Sequence, residues 1–193
     1  MKFLLLLLGL VSFDLFASAK VLVLKGKATF GGHPLKSTSL LKGAGEFVVS
    51  DKSYLKILLE ESQTTIVLAA NTTSYMSLND KVTIPELSLL HGAARWITGT
   101  SKVKKGGGIQ TKNAAMGLRG TNFFVSYNPL LGETEVICFD GSVEMKAKLV
   151  KSEPKLIGKN QWGGIGGRFG EELSKVLSLS PELVKQFNSA LPE

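Results

Sequence analysis

Thr134-Glu135-Val136-Ile137-Cys138-Phe139-Asp140-Gly141-Ser142-Val143-Glu144-Met145-Lys146 sets an Asp-Gly pair between two runs of β-branched and apolar residues. Both central positions of a type I′ turn need positive φ, which Asp and Gly tolerate, so the stretch predicts a hairpin turning at Asp140-Gly141. Upstream the same grammar repeats. Val21–Leu24, Glu46–Val49, Tyr54–Leu59, Thr64–Ala69, Val82–Ile84, Ala93–Thr98 and Phe123–Tyr127 are short apolar runs. Between them stand turn formers such as Gly31-Gly32, Ser50-Asp51-Lys52, Asn71-Thr72, His91-Gly92 and Asn128-Pro129. Strand-like runs recurring roughly every 8 to 12 residues indicate an all-β domain, a sandwich, a barrel or a β-helix-like coil of short strands. Leu55–Leu59 and Thr65–Leu68 are continuous rather than alternating, which predicts strands covered on both faces.

Beyond Lys148 the character changes. Residues 149–169 are expected to be a linker and a Gly-rich segment, because Gln161–Phe169 (QWGGIGGRF) holds four glycines and is expected not to be regular structure. Residues 170–191 are expected to form two short helices as a C-terminal tail. Glu171, Glu172, Leu173, Val176 and Leu177 have helical spacing, and Ser180-Pro181-Glu182 supplies an N-cap, an N1 proline and a first-turn acid.

The other end of the chain carries an address. Lys2 precedes the eleven-residue apolar run Phe3–Phe13, and Ala17-Ser18-Ala19 is a small-x-small cleavage pattern. A bilayer span needs about 20 apolar residues, and Asp14 ends this run early. Residues 1–19 therefore read as a signal peptide cleaved after Ala19, and the mature β domain as 20–148, periplasmic or secreted. No transmembrane segment is expected in the mature chain. Cys138 is the only cysteine, so the protein has no internal disulfide, and its apolar neighbours mark it as a small buried hydrophobe. The 193 residues carry a net charge of +7 and 44% hydrophobic residues, enough for one domain with a core. Loss of the first nineteen residues leaves that charge unchanged, since Lys2 and Asp14 cancel. A basic surface favours anionic neighbours, although it also serves plain solubility.

With the strands placed, Gly117-Leu118-Arg119-Gly120-Thr121-Asn122-Phe123 resembles the R-G-T-x-F signature of the FecR domain family of bacterial extracytoplasmic regulators and secreted proteins. The order of the surrounding features is similar too: a glycine-led strand pair from Gly45 to Leu68, Leu89-Leu90-His91-Gly92 before a strand, Ala114-Ala115 ahead of the signature, and Gly141-Ser142-Val143 after it. The resemblance spans about residues 20–147. It implies a FecR-type β domain and a signalling or scaffolding setting, with Gly117, Arg119, Gly120, Thr121, Phe123 and Gly141 as mostly structural signature residues. Sigma-factor regulators of this family add a cytoplasmic helical domain. With no residues ahead of its signal peptide, this chain is expected not to hold a sigma factor there.

Candidate chemistry is sparse. Arg119 offers either a bidentate anion contact or a buried guanidinium satisfying backbone carbonyls between strands; a buried charge must be paired, which favours the second. His33 and His91 are far apart and make no metal-ligand spacing. There is no nucleophile elbow, and the apolar setting of Cys138 raises its pKa, so no catalytic residue is assigned and no cofactor or metal is expected. Lys102, Lys104 and Lys105 beside Gly106–Gly108 are candidate anion-binding residues on a basic loop. Trp162, Ile165, Arg168 and Phe169 are candidate partner-binding residues, which either present an anchor or fold back on the β domain. The expected partner is another envelope protein, with an anionic envelope polymer as the alternative; no nucleic acid is expected for an exported chain.

Overall fold

The computed structural model describes residues 19–78, 86–99 and 107–191, without the side chains of residues 118–121 and 190. The chain runs through β1 (Ala19–Lys25), β2 (Ala28–Phe30), β3 (His33–Pro34), β4 (Leu40–Leu41), β5 (Gly43–Val49), β6 (Tyr54–Leu59), β7 (Thr64–Leu68) and β8 (Thr72–Leu78). Then come the long β9 (Glu86–Ile97), β10 (Gly108–Gln110), the long β11 (Ala114–Asn128) and β12 (Glu133–Ala147), and the short β13 (Lys155–Gly158), β14 (Gln161–Ile165) and β15 (Leu177–Ser178). One helix, α1 (Pro181–Ala190), follows.

The strands form two layers that share β9, β11 and β12. The front layer runs β4-β1-β6-β7, the second half of β9, the second half of β11, the first half of β12, then β14 and β15. The back layer runs β3-β2-β5-β8, the first half of β9, β10, the first half of β11, the second half of β12, then β13. Among the described residues pairing is antiparallel apart from β9–β10, and the two layers make a barrel-like sandwich rather than a coil. Alternation turns Leu55, Ile57 and Leu59 of β6, Ile66 and Leu68 of β7, and Phe47 and Val49 of β5 into one core with Trp96, Phe123 and Val136. Burying a large aliphatic side chain of this kind contributes about 1.5–3 kcal/mol. Val67 is also fully buried, on the opposite face of β7, in keeping with a strand covered on both sides.

A strand that leaves one layer for the other must bend, and the bends are where the sequence signature lies. In β11 the register slips between Arg119 and Asn122, and in β12 around Asp140 and Gly141. Asp140-Gly141 is therefore a bulge in a continuous strand, and the expected hairpin over Thr134–Lys146 is not formed. Gly141 does take positive φ (74°), but a G1-type bulge uses that conformation as well as a turn does. The partner β11 is long enough to hold all of β12 extended, and the reversal falls instead at residues 129–132. In β9 the bend is at Gly92 (φ 92°), where a Cβ would lie 2.7 Å from the Asn71 carbonyl oxygen.

Two further expectations are corrected. Residues 149–169 are not simply a linker: β13 and β14 both pair with β12, and Ile157 and Ile165 are buried. The glycines permit this, since a Cβ on Gly163 would come within 2.7 Å of Ile157 Cδ1. The helix expected over residues 171–177 is absent. Leu173 enters the core, the Ser174 N–H donates to the Gly164 carbonyl at 2.8 Å, and Lys155 Nζ donates to the carbonyls of Leu173 (2.6 Å) and Ser174 (2.9 Å). Those bonds take the backbone groups a helix would use. The second helix forms as read, with Ser180 as N-cap accepting from Leu183 N and Pro181 in the first turn. The Val82–Ile84 run lies outside the described residues. Among the described residues no helix is long and apolar enough to cross a membrane.

Candidate functional site

Register places one residue from each front-layer strand from β7 to β15 in a row on the outer face: Val67, Arg95, Phe124, Ile137, Trp162 and Leu177. Core-facing neighbours such as Ile66, Trp96 and Val136 alternate with them. Val67, Arg95 and Ile137 are nonetheless almost fully buried, so this outer face carries a small second cluster of its own.

Arg95 is at its centre. Its Nε donates to Asn122 Oδ1 at 2.8 Å, and its Nη1 donates to the carbonyls of Leu191 (2.6 Å) and Asn188 (3.4 Å). The guanidinium lies 4.7 Å from the centre of the Phe139 ring. The last carbonyls of a helix are unbonded and carry partial negative charge, which a guanidinium fork complements. Phe187 of α1 meets Phe124 at 6.4 Å, and Leu191 is buried. The helix is thus fastened to the front layer at its C-terminal end, while Leu183 stays 43% exposed. Burial raises the pKa of the nearby Tyr54 phenol, and the Arg95 charge opposes that shift. Arg95 escaped the sequence reading. The available signal was a lone cation in the apolar run Ala93-Ala94-Arg95-Trp96-Ile97, on the face opposite Ala94 and Trp96.

The four candidate partner-binding residues separate. Trp162 and Phe169 meet edge to face at 5.1 Å, half-buried, and the Arg168 guanidinium stacks 4.7 Å from the Phe169 ring. Arg168 also donates from Nη2 to Glu135 Oε1 at 3.0 Å, and its backbone N–H donates to Glu133 Oε1 at 2.9 Å. The Gly-rich segment therefore folds back on its own sheet. Ile165 points into the core, away from the other three.

Of the signature residues, Phe123 is fully buried opposite Trp96 and Cys138. Gly117 has room for a Cβ, whose nearest contact is the Glu144 carbonyl at 3.9 Å, so no close approach requires glycine there. Arg119, Gly120 and Thr121 form the bend of β11, but their side chains lie outside the described residues, as do Lys102, Lys104 and Lys105. Cys138 is buried, its Sγ directed to the Asp140 carbonyl at 3.3 Å, and burial pushes its pKa up to about 11. His91 Nδ1 bonds the Asn71 carbonyl at 2.8 Å. Among the described residues no group of His, Cys, Asp and Glu could hold a metal ion.

These elements define an all-β scaffold with two layers, bent shared strands and one helix latched to its outer face. Residues 45–144 match the family model described as FecR protein, and the chain belongs to that family. Two crystal structures of a candidate anti-sigma factor from Parabacteroides distasonis share the fold. One has TM-score 0.62 at 16% identity over 75% of this chain and 64% of that chain. The other has TM-score 0.60 at 16% identity over 74% and 63%. The chain thus spans less than two thirds of those proteins. No curated protein matches the sequence.

Proposed function

We propose that this chain is an exported, non-enzymatic FecR-family module that signals or scaffolds in the cell envelope by binding another envelope protein. The observation that carries the reading is the outer face of the front layer. There an apolar row is partly covered by α1 and ends at the half-buried Trp162 and the half-exposed Leu177. Aromatic anchors at the edge of a covered apolar surface are what protein interfaces use. Family membership and the likeness to proteins described as candidate anti-sigma factors support a regulatory role. The Lys2, Phe3–Phe13 and Ala17-Ser18-Ala19 pattern supports export.

The test is crosslinked capture from cell envelopes with tagged residues 20–193, beside a Trp162→Ala/Leu177→Ala variant shown by thermal unfolding to be folded. A discrete envelope protein captured in low and high salt, and lost with the double variant, supports the reading. Capture of wall polymer with no discrete protein, lost in high salt and indifferent to the variant, overturns it in favour of a charge-led polymer binder.

A further inference from the structure

At the turn joining β11 to β12, Asn128-Pro129-Leu130-Leu131-Gly132 projects two leucines into solvent. Leu130 is 94% exposed, more than any other large hydrophobic residue among those described, and Leu131 is 56% exposed. Hollows flank this tip on either side of Tyr127 and Pro129. One, of about 470 Å³, is lined by Leu89 and Leu90 with Lys112 and Lys148. The other, of about 340 Å³, is lined by Leu131 and Leu149 with Lys112, and by one carboxylate, Glu171. Leu90 is 45% and Leu149 66% exposed. Single exposed leucines are ordinary, but four around one projecting tip, with lysines beside them, are not.

Part of the backbone of the tip is prepared to leave water. Asn128 Oδ1 accepts the N–H groups of Leu130 (3.1 Å) and Leu131 (3.4 Å), and Pro129 has no N–H to satisfy. The Gly132 carbonyl accepts from Asn113 Nδ2 at 2.5 Å. An unpaired amide would oppose entry into hydrocarbon, and these groups are already paired. Lys148 is held at the rim by Gln110 Oε1 and the Thr111 carbonyl, both at 3.0 Å, while the exposed Lys112 lines both hollows.

We propose that this tip docks on an anionic phospholipid surface. Leu130 and Leu131 enter the boundary between head groups and acyl chains, and Lys112 and Lys148 sit at the level of the phosphates. A protein partner fits less well, because lysine is depleted from protein interfaces and leucine is rare among their energetic anchors. The proposal goes beyond the partner-binding reading and uses a different surface.

The experiment is co-sedimentation of residues 20–193, which omit the apolar Phe3–Phe13 run, with two kinds of vesicle. One kind is phosphatidylcholine alone, and the other is an equal mixture of phosphatidylcholine and phosphatidylglycerol. Binding to the mixed vesicles is expected to exceed binding to neutral ones. It should fall by at least about tenfold in Leu130→Ser/Leu131→Ser, since burying each leucine favours the bound state by about that factor, and it should also weaken in Lys112→Glu. These side chains are exposed, so thermal unfolding should be unchanged. The emission of Leu130→Trp should shift to the blue when mixed vesicles are added, more than that of the wild type with its Trp96 and Trp162, and should not shift with neutral ones. Absence of binding to mixed vesicles, undiminished binding by the double serine variant, or unshifted Leu130→Trp emission would each overturn the proposal. Self-association that the double serine variant abolishes, without vesicle binding, would make the tip a protein interface instead.

Discussion

Arg95 Nη1 and the Leu191 carbonyl oxygen meet at 2.6 Å across 96 positions of sequence, and this bond fastens the C-terminal helix to the front layer. Arg95 is 1% exposed, so its bond to Leu191 is made away from competing water. Arg95→Met is expected to lower stability by about 2–4 kcal/mol, because the helix-end carbonyls and Asn122 lose a buried charged donor. Arg95→Lys should recover little, since a point ammonium cannot reproduce the fork. Urea unfolding gives the stability, and limited proteolysis should cut α1 free faster in both variants; wild-type cleavage rates in Arg95→Met would remove the latch.

The bend of β9 gives a second expectation. Gly92→Ala places a methyl against the Asn71 carbonyl and the Thr72 backbone at positive φ, and should cost about 3 kcal/mol or more. Gly132 also has positive φ (61°) but open space around it, so Gly132→Ala should cost only about 1–2 kcal/mol. Equal losses in thermal or urea unfolding would show that the close approach at Gly92 does not matter.

Asn113 ties the β11–β12 turn to the sheet. Its Oδ1 accepts from Thr111 Oγ1 (2.9 Å) and Thr134 Oγ1 (2.5 Å), and its Nδ2 reaches the carbonyl of Gly132. Asn113→Ala leaves two buried hydroxyls with fewer partners and should cost about 2–4 kcal/mol. Asn113→Asp should be no better, because its second oxygen faces the Gly132 carbonyl. Chemical denaturation of both variants checks this; an aspartate variant as stable as wild type would contradict it.

Stability should also fall in alkali. The unfolded chain releases the Cys138 proton near the ordinary 9.0, whereas the fold holds it up to about 11 because burial disfavours the thiolate. The stabilisation is therefore complete below pH 9 and is lost as pH rises through about 11. Tyr54 and Tyr127, both raised above 10.0 by burial, act with the same sign. In urea titrations from neutral pH upward, Cys138→Ala should lose stability less steeply than wild type above pH 9. Parallel curves for the two proteins would remove Cys138 from the account.

Much of the strand pattern was legible because it is local. The runs Tyr54–Leu59 and Thr64–Leu68 need only a sheet to lie on, although β6 alternates in burial where its continuous run predicts cover on both faces, and Ser180-Pro181-Glu182 caps a helix with bonds inside four residues. The candidate site was half legible. Trp162, Arg168 and Phe169 stand out by composition, whereas Arg95 lies in an apolar strand and acquires its role from carbonyls at the far end of the chain.

The sequence by itself determined an all-β chain, a single buried cysteine, the likeness to the FecR family and the capped terminal helix, since each follows from short-range residue preferences or the order of local motifs. Only the tertiary structure decided what Asp140-Gly141 and the glycines of residues 161–167 would do. Positive φ at Gly141 suits a turn and a bulge alike, and the fifteen-residue β11 beside it selected the bulge. Glycines that read as a break became strand at Gly163 and Gly164 because the missing Cβ atoms make room for Ile157 and Trp162. In both cases the backbone conformation was permitted locally and selected by a partner distant in sequence.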